Sequence, residues 1–148
     1  GGEVVALRVS PDASHVVLVA RRPDGRRVVG IAGIRRLAGS VEVVGWRQLA
    51  IHGVSTDPLD IVDAGWRTPD SLLLIAKDAR GTTVVSVHPD GSEPLVVGPP
   101  SVANLVELAV APGVTPMARA DDGHVYRYYA DFRWSSFAES VGAICYAG

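Results

Sequence analysis

The sequence predicts an all-β protein made of short antiparallel hairpins, and three observations predict it. A turn motif recurs as Ser10-Pro11-Asp12-Ala13, Arg22-Pro23-Asp24-Gly25, Thr68-Pro69-Asp70-Ser71, His88-Pro89-Asp90-Gly91 and Asp121-Asp122-Gly123. Each copy separates two runs rich in β-branched residues, the arrangement of a hairpin. No stretch carries a capped apolar stripe at the 3.6-residue helical period, apart from room for a single helical turn near Ser135–Ala138. Finally, 47% of residues are apolar and 20% charged, values that suit a folded, strand-rich body and exclude a disordered chain.

The elements follow in order. Val4-Val5-Ala6-Leu7-Arg8-Val9 alternates loosely and meets Pro11-Asp12, a turn start. Ala13 stands where such a turn usually has glycine, so a turn with little demand for positive φ is expected there. His15 to Ala20 is a nearly continuous apolar run, as in a strand covered on both faces. Pro23-Asp24-Gly25 reverses the chain, because proline presets φ and glycine supplies positive φ. Val28 to Ile34 returns, Arg35-Arg36 exits toward a Gly39-Ser40 turn, and Val41-Glu42-Val43-Val44 opens a fourth strand reaching Trp46.

A second repeat begins with Leu59 to Trp66, turns at Pro69-Asp70 and continues in Leu72-Leu73-Leu74-Ile75-Ala76, the counterpart of the earlier buried run. Gly81 leads into Thr83 to Val87, Asp90-Gly91 turns the chain, and Pro94 to Val97 ends at Pro99-Pro100. A third repeat runs from Leu105 to Val110, through Pro116 to Ala120, and after Asp121-Asp122-Gly123 into Val125 to Tyr129. The tail from Phe132 to Gly148 contains Trp134, Phe137 and Tyr146. The reading is a partial β-propeller of about three four-stranded antiparallel blades over residues 3–54, 55–100 and 101–148, in one domain with no significant helix.

Composition narrows function by exclusion. No apolar run reaches the roughly 20 residues of a transmembrane helix. The chain opens Gly1-Gly2-Glu3 and enters a strand at once, so it is expected to be the inside of a longer protein. Cys145 is the single cysteine, which excludes an internal disulfide and a cysteine-based zinc site and reads as a small packed residue. Only Lys77 among the 14 basic residues is lysine, a bias that resembles GC-rich genomes more than phosphate recognition.

Charge is uneven. Residues 1–54 carry eight arginines against four acids, a balance of +4, and residues 55–148 carry six bases against twelve acids, a balance of −6. Solvated strand faces explain this simply. A basic surface for an acidic protein or anionic headgroups is the functional alternative. No nucleic-acid partner is expected, because the arginines are not interleaved with stacking aromatics.

The chemistry-bearing residues form no motif. His15, His52, His88 and His124 lack metal-ligand spacing. No nucleophile elbow, phosphate loop or dinucleotide fingerprint occurs, and Gly30-Ile31-Ala32-Gly33 lies inside a predicted strand. Asp60 and Asp63 sit at odd spacing in one strand, so they face opposite sides and cannot pair as a dyad. Asp121-Asp122 reads as turn chemistry. Trp46, Trp66 and Trp134 read as packing between blades, with a ligand-stacking platform as the alternative. No catalytic, cofactor-binding or metal-binding residue is assigned and no cofactor is expected.

The opening repeat Leu7 to Val19, the later Val62-Asp63-Ala64-Gly65-Trp66 before a leucine-rich strand, Asp121-Asp122-Gly123-His124-Val125, and the tail from Trp134 to Ala147-Gly148 together resemble the C-terminal β-propeller domain of the actinobacterial LpqB lipoprotein family. The order of these motifs carries the likeness more than any one of them, and it covers nearly the whole chain. The resemblance implies an exported parent, anchored by an N-terminal lipid at the extracytoplasmic face of the cell membrane, with a germination/sporulation-type domain before the propeller. It implies an accessory of the MtrA–MtrB two-component system that contacts the extracellular domain of the sensor histidine kinase. It brings no catalytic residue.

On that basis the chain is expected to be a non-enzymatic interaction module, with Arg21, Arg22, Arg26, Arg27, Arg35 and Arg36 as the partner-binding candidates. Three blades are fewer than the four to eight of a closed propeller. The fragment is therefore expected either to self-associate through exposed sheet edges or to be a trimmed product whose other half was lost. A propeller binding cell-wall glycans and a metal-dependent hydrolase or lactonase are the rival readings.

Overall fold

A computed structural model describes residues 2–54, 59–98, 104–129, 133–139 and 142–144. Twelve strands and no helix occur among them. The first sheet contains β1 (Glu3–Val9), β2 (His15–Arg21), β3 (Arg27–Leu37) and β4 (Ser40–Gln48). The second contains β5 (Asp60–Thr68), β6 (Ser71–Asp78), β7 (Gly81–Val87) and β8 (Leu95–Gly98). The third contains β9 (Leu105–Ala109), β10 (Met117–Ala120), β11 (Val125–Tyr128) and β12 (Trp134–Ala138). Each sheet is an antiparallel meander in chain order, and the sheets stack face to face with β5 in contact with β1 and β9. This is the all-β, four-strands-per-blade architecture expected from the hairpin pattern.

The side-chain period of two explains the packing. In β6, Leu72, Leu74 and Ala76 face the first sheet, while Leu73 and Ile75 face the third. Val85 and Val87 of β7 join the first interface and Val84 the second. A strand buried on both faces thus reads as a continuous apolar run, as the sequence reading of Leu72–Ala76 required. Fully burying one such side chain stabilises the fold by about 1.5–3 kcal/mol.

Polar ties cross both interfaces, and most start from β5 and its neighbours. Asp60 accepts hydrogen bonds from the Arg27 backbone N–H at 2.7 Å and from its guanidinium at 3.0 and 2.6 Å. Trp66 Nε1 donates to the Arg8 carbonyl at 3.0 Å. Toward the third sheet, the buried Asp63 accepts from Leu108 N at 2.8 Å, Thr82 Oγ1 accepts from Leu105 N at 3.0 Å, and Trp134 Nε1 donates to the Val97 carbonyl at 3.2 Å. Asp60 bonds to Arg27 of the first sheet and Asp63 to Leu108 of the third, but the expected strict alternation is corrected: a bulge between Ile61 and Asp63 sets the two aspartates opposite Lys77 and Ile75, two apart on β6, and Asp63 also lies 3.7 Å from Arg8 of the first sheet.

Three local expectations are corrected. Ala13 does adopt positive φ, at 58°. Asp12 holds the turn there: its carboxylate accepts from Ser10 Oγ, Ser14 Oγ and Ser14 N at 2.7–3.1 Å. The Ser135–Ala138 segment is strand β12, not a helical turn, because pairing with β11 supplies its backbone partners. Arg35 and Arg36 continue β3 instead of leaving it, since pairing with Glu42 and Val41 extends the ladder to Leu37. Phe132, Cys145 and Tyr146 lie outside the described residues.

Candidate interaction surface

The β2–β3 hairpin is built around its turn residues. Gly25 takes φ 89°, its N–H reaches the Arg22 carbonyl, and Arg26 N donates to Asp24 Oδ1. This closes a tight loop that projects Arg21, Arg22 and Arg26 from one end of the first sheet. Arg21 and Arg22 are exposed, and Arg22 Nε lies 3.9 Å from Asp24 Oδ2, a loose exposed pair worth little. The partly buried Arg26 lines a cavity of about 230 Å³ with Val28, Gln48, Leu49, Ile51 and His52, and its buried Nε has no hydrogen-bond partner among the described residues.

The other three candidates have different fates. Arg27 is the internal tie to Asp60, with only 20% and 27% of the two side chains exposed. Its hydrogen bonds hold the Asp60 carboxyl below the ordinary carboxylate range. Arg35 forms an exposed cross-strand pair with Glu42, and Arg36 stands opposite Val41. Both lie at the far end of β3, roughly 26 Å from Arg27 at about 3.3 Å per residue. The six arginines therefore do not form one patch. The structure brings together Arg21, Arg22 and Arg26, consumes Arg27 internally and places Arg35 and Arg36 at the opposite rim.

Two clefts went unmarked in the sequence because their residues come from separate turns. One, of about 580 Å³, gathers His15, Arg47, Asp70, His88 and Glu93. His88 spans two turns there, with Nδ1 2.9 Å from the Asp70 carbonyl and Nε2 2.7 Å from Glu93 Oε2. The Asp70 carbonyl, then Glu93, favour the protonated ring and push its pKa up. The other, of about 350 Å³, lies between Arg67 and Tyr128–Tyr129, with the Arg67 guanidinium 5.5 Å from the Tyr128 ring centre. Only the turn motif Pro69-Asp70 and Pro89-Asp90 hints at the first cleft; nothing in the sequence marks the second.

The tryptophans sit in three different layers. Trp66 is buried between the first and second sheets, and Trp134 ties the third sheet to the second, edge-on to Tyr128 at 5.2 Å. Trp46 is 46% exposed and lies over Gly30 on the outer face of the first sheet. They share no stacking platform. No group of three or more potential metal ligands occurs among the described residues.

No curated protein matches this chain. A stack of four-stranded meanders, tied by inner-strand carboxylates and tryptophans, is the construction of propeller blades. The family profile described as the lipoprotein LpqB beta-propeller domain matches residues 1–144, and the chain belongs to that family.

Proposed function

We propose that this chain is a non-catalytic, extracytoplasmic interaction module of a membrane-anchored lipoprotein, and that it binds the extracellular domain of a two-component sensor histidine kinase. Family membership supports the lipoprotein setting. The observation that carries the contact is the cationic hairpin end, with Arg21 and Arg22 exposed and the half-buried Arg26 beside them, which complements an acidic surface on a partner. Arg27 belongs to the fold and is left out of the contact.

Calorimetric titration of the chain against the sensor's extracellular domain at two salt concentrations tests this reading. Saturable binding that weakens at high salt is expected, since exposed charges are screened over about 10 Å at 0.1 M salt. Reversing Arg21, Arg22 and Arg26 to glutamate is expected to weaken binding at least tenfold, about 1.4 kcal/mol, and to flatten the salt dependence. Binding unaffected by that reversal removes the hairpin from the contact. No binding by the chain or by its parent removes the kinase as partner.

A further inference from the structure

Where the chain leaves the first sheet for the second, it is held at both. Leu49 N donates to the Val29 carbonyl at 2.8 Å just beyond β4. The next residue packs on the turn between β7 and β8: a Cβ built on Gly91 would overlap the Ala50 carbonyl oxygen, and Gly91 also takes φ 85°. Glycine meets both demands without strain. Alongside this anchored segment lies the cavity of about 230 Å³ that Arg26 lines.

Its walls are mostly aliphatic. The buried Leu49 and Ile61 and the half-buried Ile51 and Leu59 supply them. Arg26 is the exception. Its Nε is shut off from solvent and has no hydrogen-bond partner among the described residues. The carboxylates around it are already engaged. Asp24 accepts from the Arg26 backbone N–H and lies 3.9 Å from Arg22 Nε, and Asp60 is held by Arg27. A charged donor withdrawn from water without a partner destabilises a fold, so a partner from outside the chain is expected.

We infer that this cavity is a binding site for a small aliphatic monocarboxylate, its carboxylate on Arg26 and its tail against Leu49, Ile51, Leu59 and Ile61. A planar guanidinium matches a carboxylate, and the aliphatic walls match the tail. Arg26 is the one arginine or lysine in the lining, and its neighbour Arg27 is spent on Asp60. A single permanent cation suits a single negative charge better than a phosphate dianion. Volume sets the length of the tail. A dry cavity of about 150 Å³ holds benzene, so one of about 230 Å³ admits a chain of roughly six to eight carbons. The site goes beyond the proposed protein contact and stands without it, because it rests on the cavity and the buried Nε.

Calorimetric titration of the chain with octanoate, acetate and octanol tests this. No sensor domain is present, so failure here and failure of the kinase contact are separate results. Octanoate is expected to bind one per chain with a Kd of about 0.1–1 mM and to shift the amide NMR signals of Leu49, Ile51 and Ile61. Acetate lacks the tail and octanol the charge, and each is expected to bind at least about tenfold more weakly. Arg26→Gln keeps the backbone N–H that bonds Asp24. It is expected to weaken octanoate at least about tenfold, to leave octanol unchanged, and not to lower the thermal midpoint. Ile51→Trp fills the cavity and is expected to block octanoate with an unchanged far-ultraviolet spectrum. The inference is overturned if octanoate shows no saturable binding in that range, or if its signal shifts fall instead on the exposed valines of β1. It is overturned equally if octanol binds as tightly as octanoate, or if Arg26→Gln leaves the octanoate affinity unchanged.

Discussion

At the scale of single residues, aspartates organise the turns. Asp12, Asp24, Asp78, Asp90 and Asp122 each accept a hydrogen bond from the backbone N–H two residues on. Asp12 gathers enough donors, the Ser10 hydroxyl foremost, to lower its pKa to about 2. Beside it Ala13 occupies a left-handed conformation that costs a residue with a Cβ about 1 kcal/mol. Ala13→Gly is therefore expected to raise stability by up to about 1 kcal/mol, or about 2–4 °C in thermal midpoint; a lowered midpoint in calorimetry would refute this. His88 carries a pH-dependent link between two turns. Its pKa is raised in the fold, so its contribution is complete below the ordinary value of 6.5 and is lost as pH rises through the raised value. The gap in thermal midpoint between the parent and His88→Asn is expected to shrink as pH rises from about 6 to about 9. A gap constant across that range would sink the idea.

At the scale of elements, the sheets hold to one another through apolar faces and a few directional bonds. Asp63 is the clearest case. It is 5% exposed, and burial pushes its carboxyl up while the Leu108 and Ala64 backbone N–H groups favour the ionised form. Truncation to alanine leaves both donors in the interior without a partner, at a cost of about 1–3 kcal/mol. Asp63→Ala is expected to lower overall stability and to speed hydrogen exchange at Leu108. Unchanged exchange there would show that β9 does not depend on the tie. Hairpin patterning located nearly all of these strands, because period-2 burial is local information. It missed the strand character of Ser135–Ala138 and the length of β3, since both depend on pairing with a neighbour.

At the scale of the molecule, the three sheets are not equivalent. The second is covered on both faces, and the outer two each on one face by another sheet. In a stack of repeats, stability is set by each unit and its neighbours. Amide exchange is therefore expected to be slowest in β6 and β7 and faster in β4 and β12, because opening the middle sheet requires breaking both interfaces. Uniform protection across the three sheets would contradict this and indicate a single cooperative unit. The same geometry breaks up the arginine set, because one strand, β3, carries Arg27 to one rim and Arg35 and Arg36 to the other.

The sequence by itself determined the hairpins and the meander order; of the two runs it read as covered on both faces, Leu72–Ala76 is, whereas in His15–Ala20 only the Val17 and Val19 face packs on another sheet and Leu18 and Ala20 stay half-buried. Turn chemistry and side-chain alternation act over a few residues, and those residues are written next to one another. The tertiary structure alone decided which charges remain available. Arg27 and Asp60 are 33 residues apart and meet only when two sheets stack. Arg21 and Arg22 remain outside because the hairpin that carries them ends in solvent, and Arg26 beside them is half-buried. Exposure of an ion is a property of what packs beside it, and that partner is a different sheet.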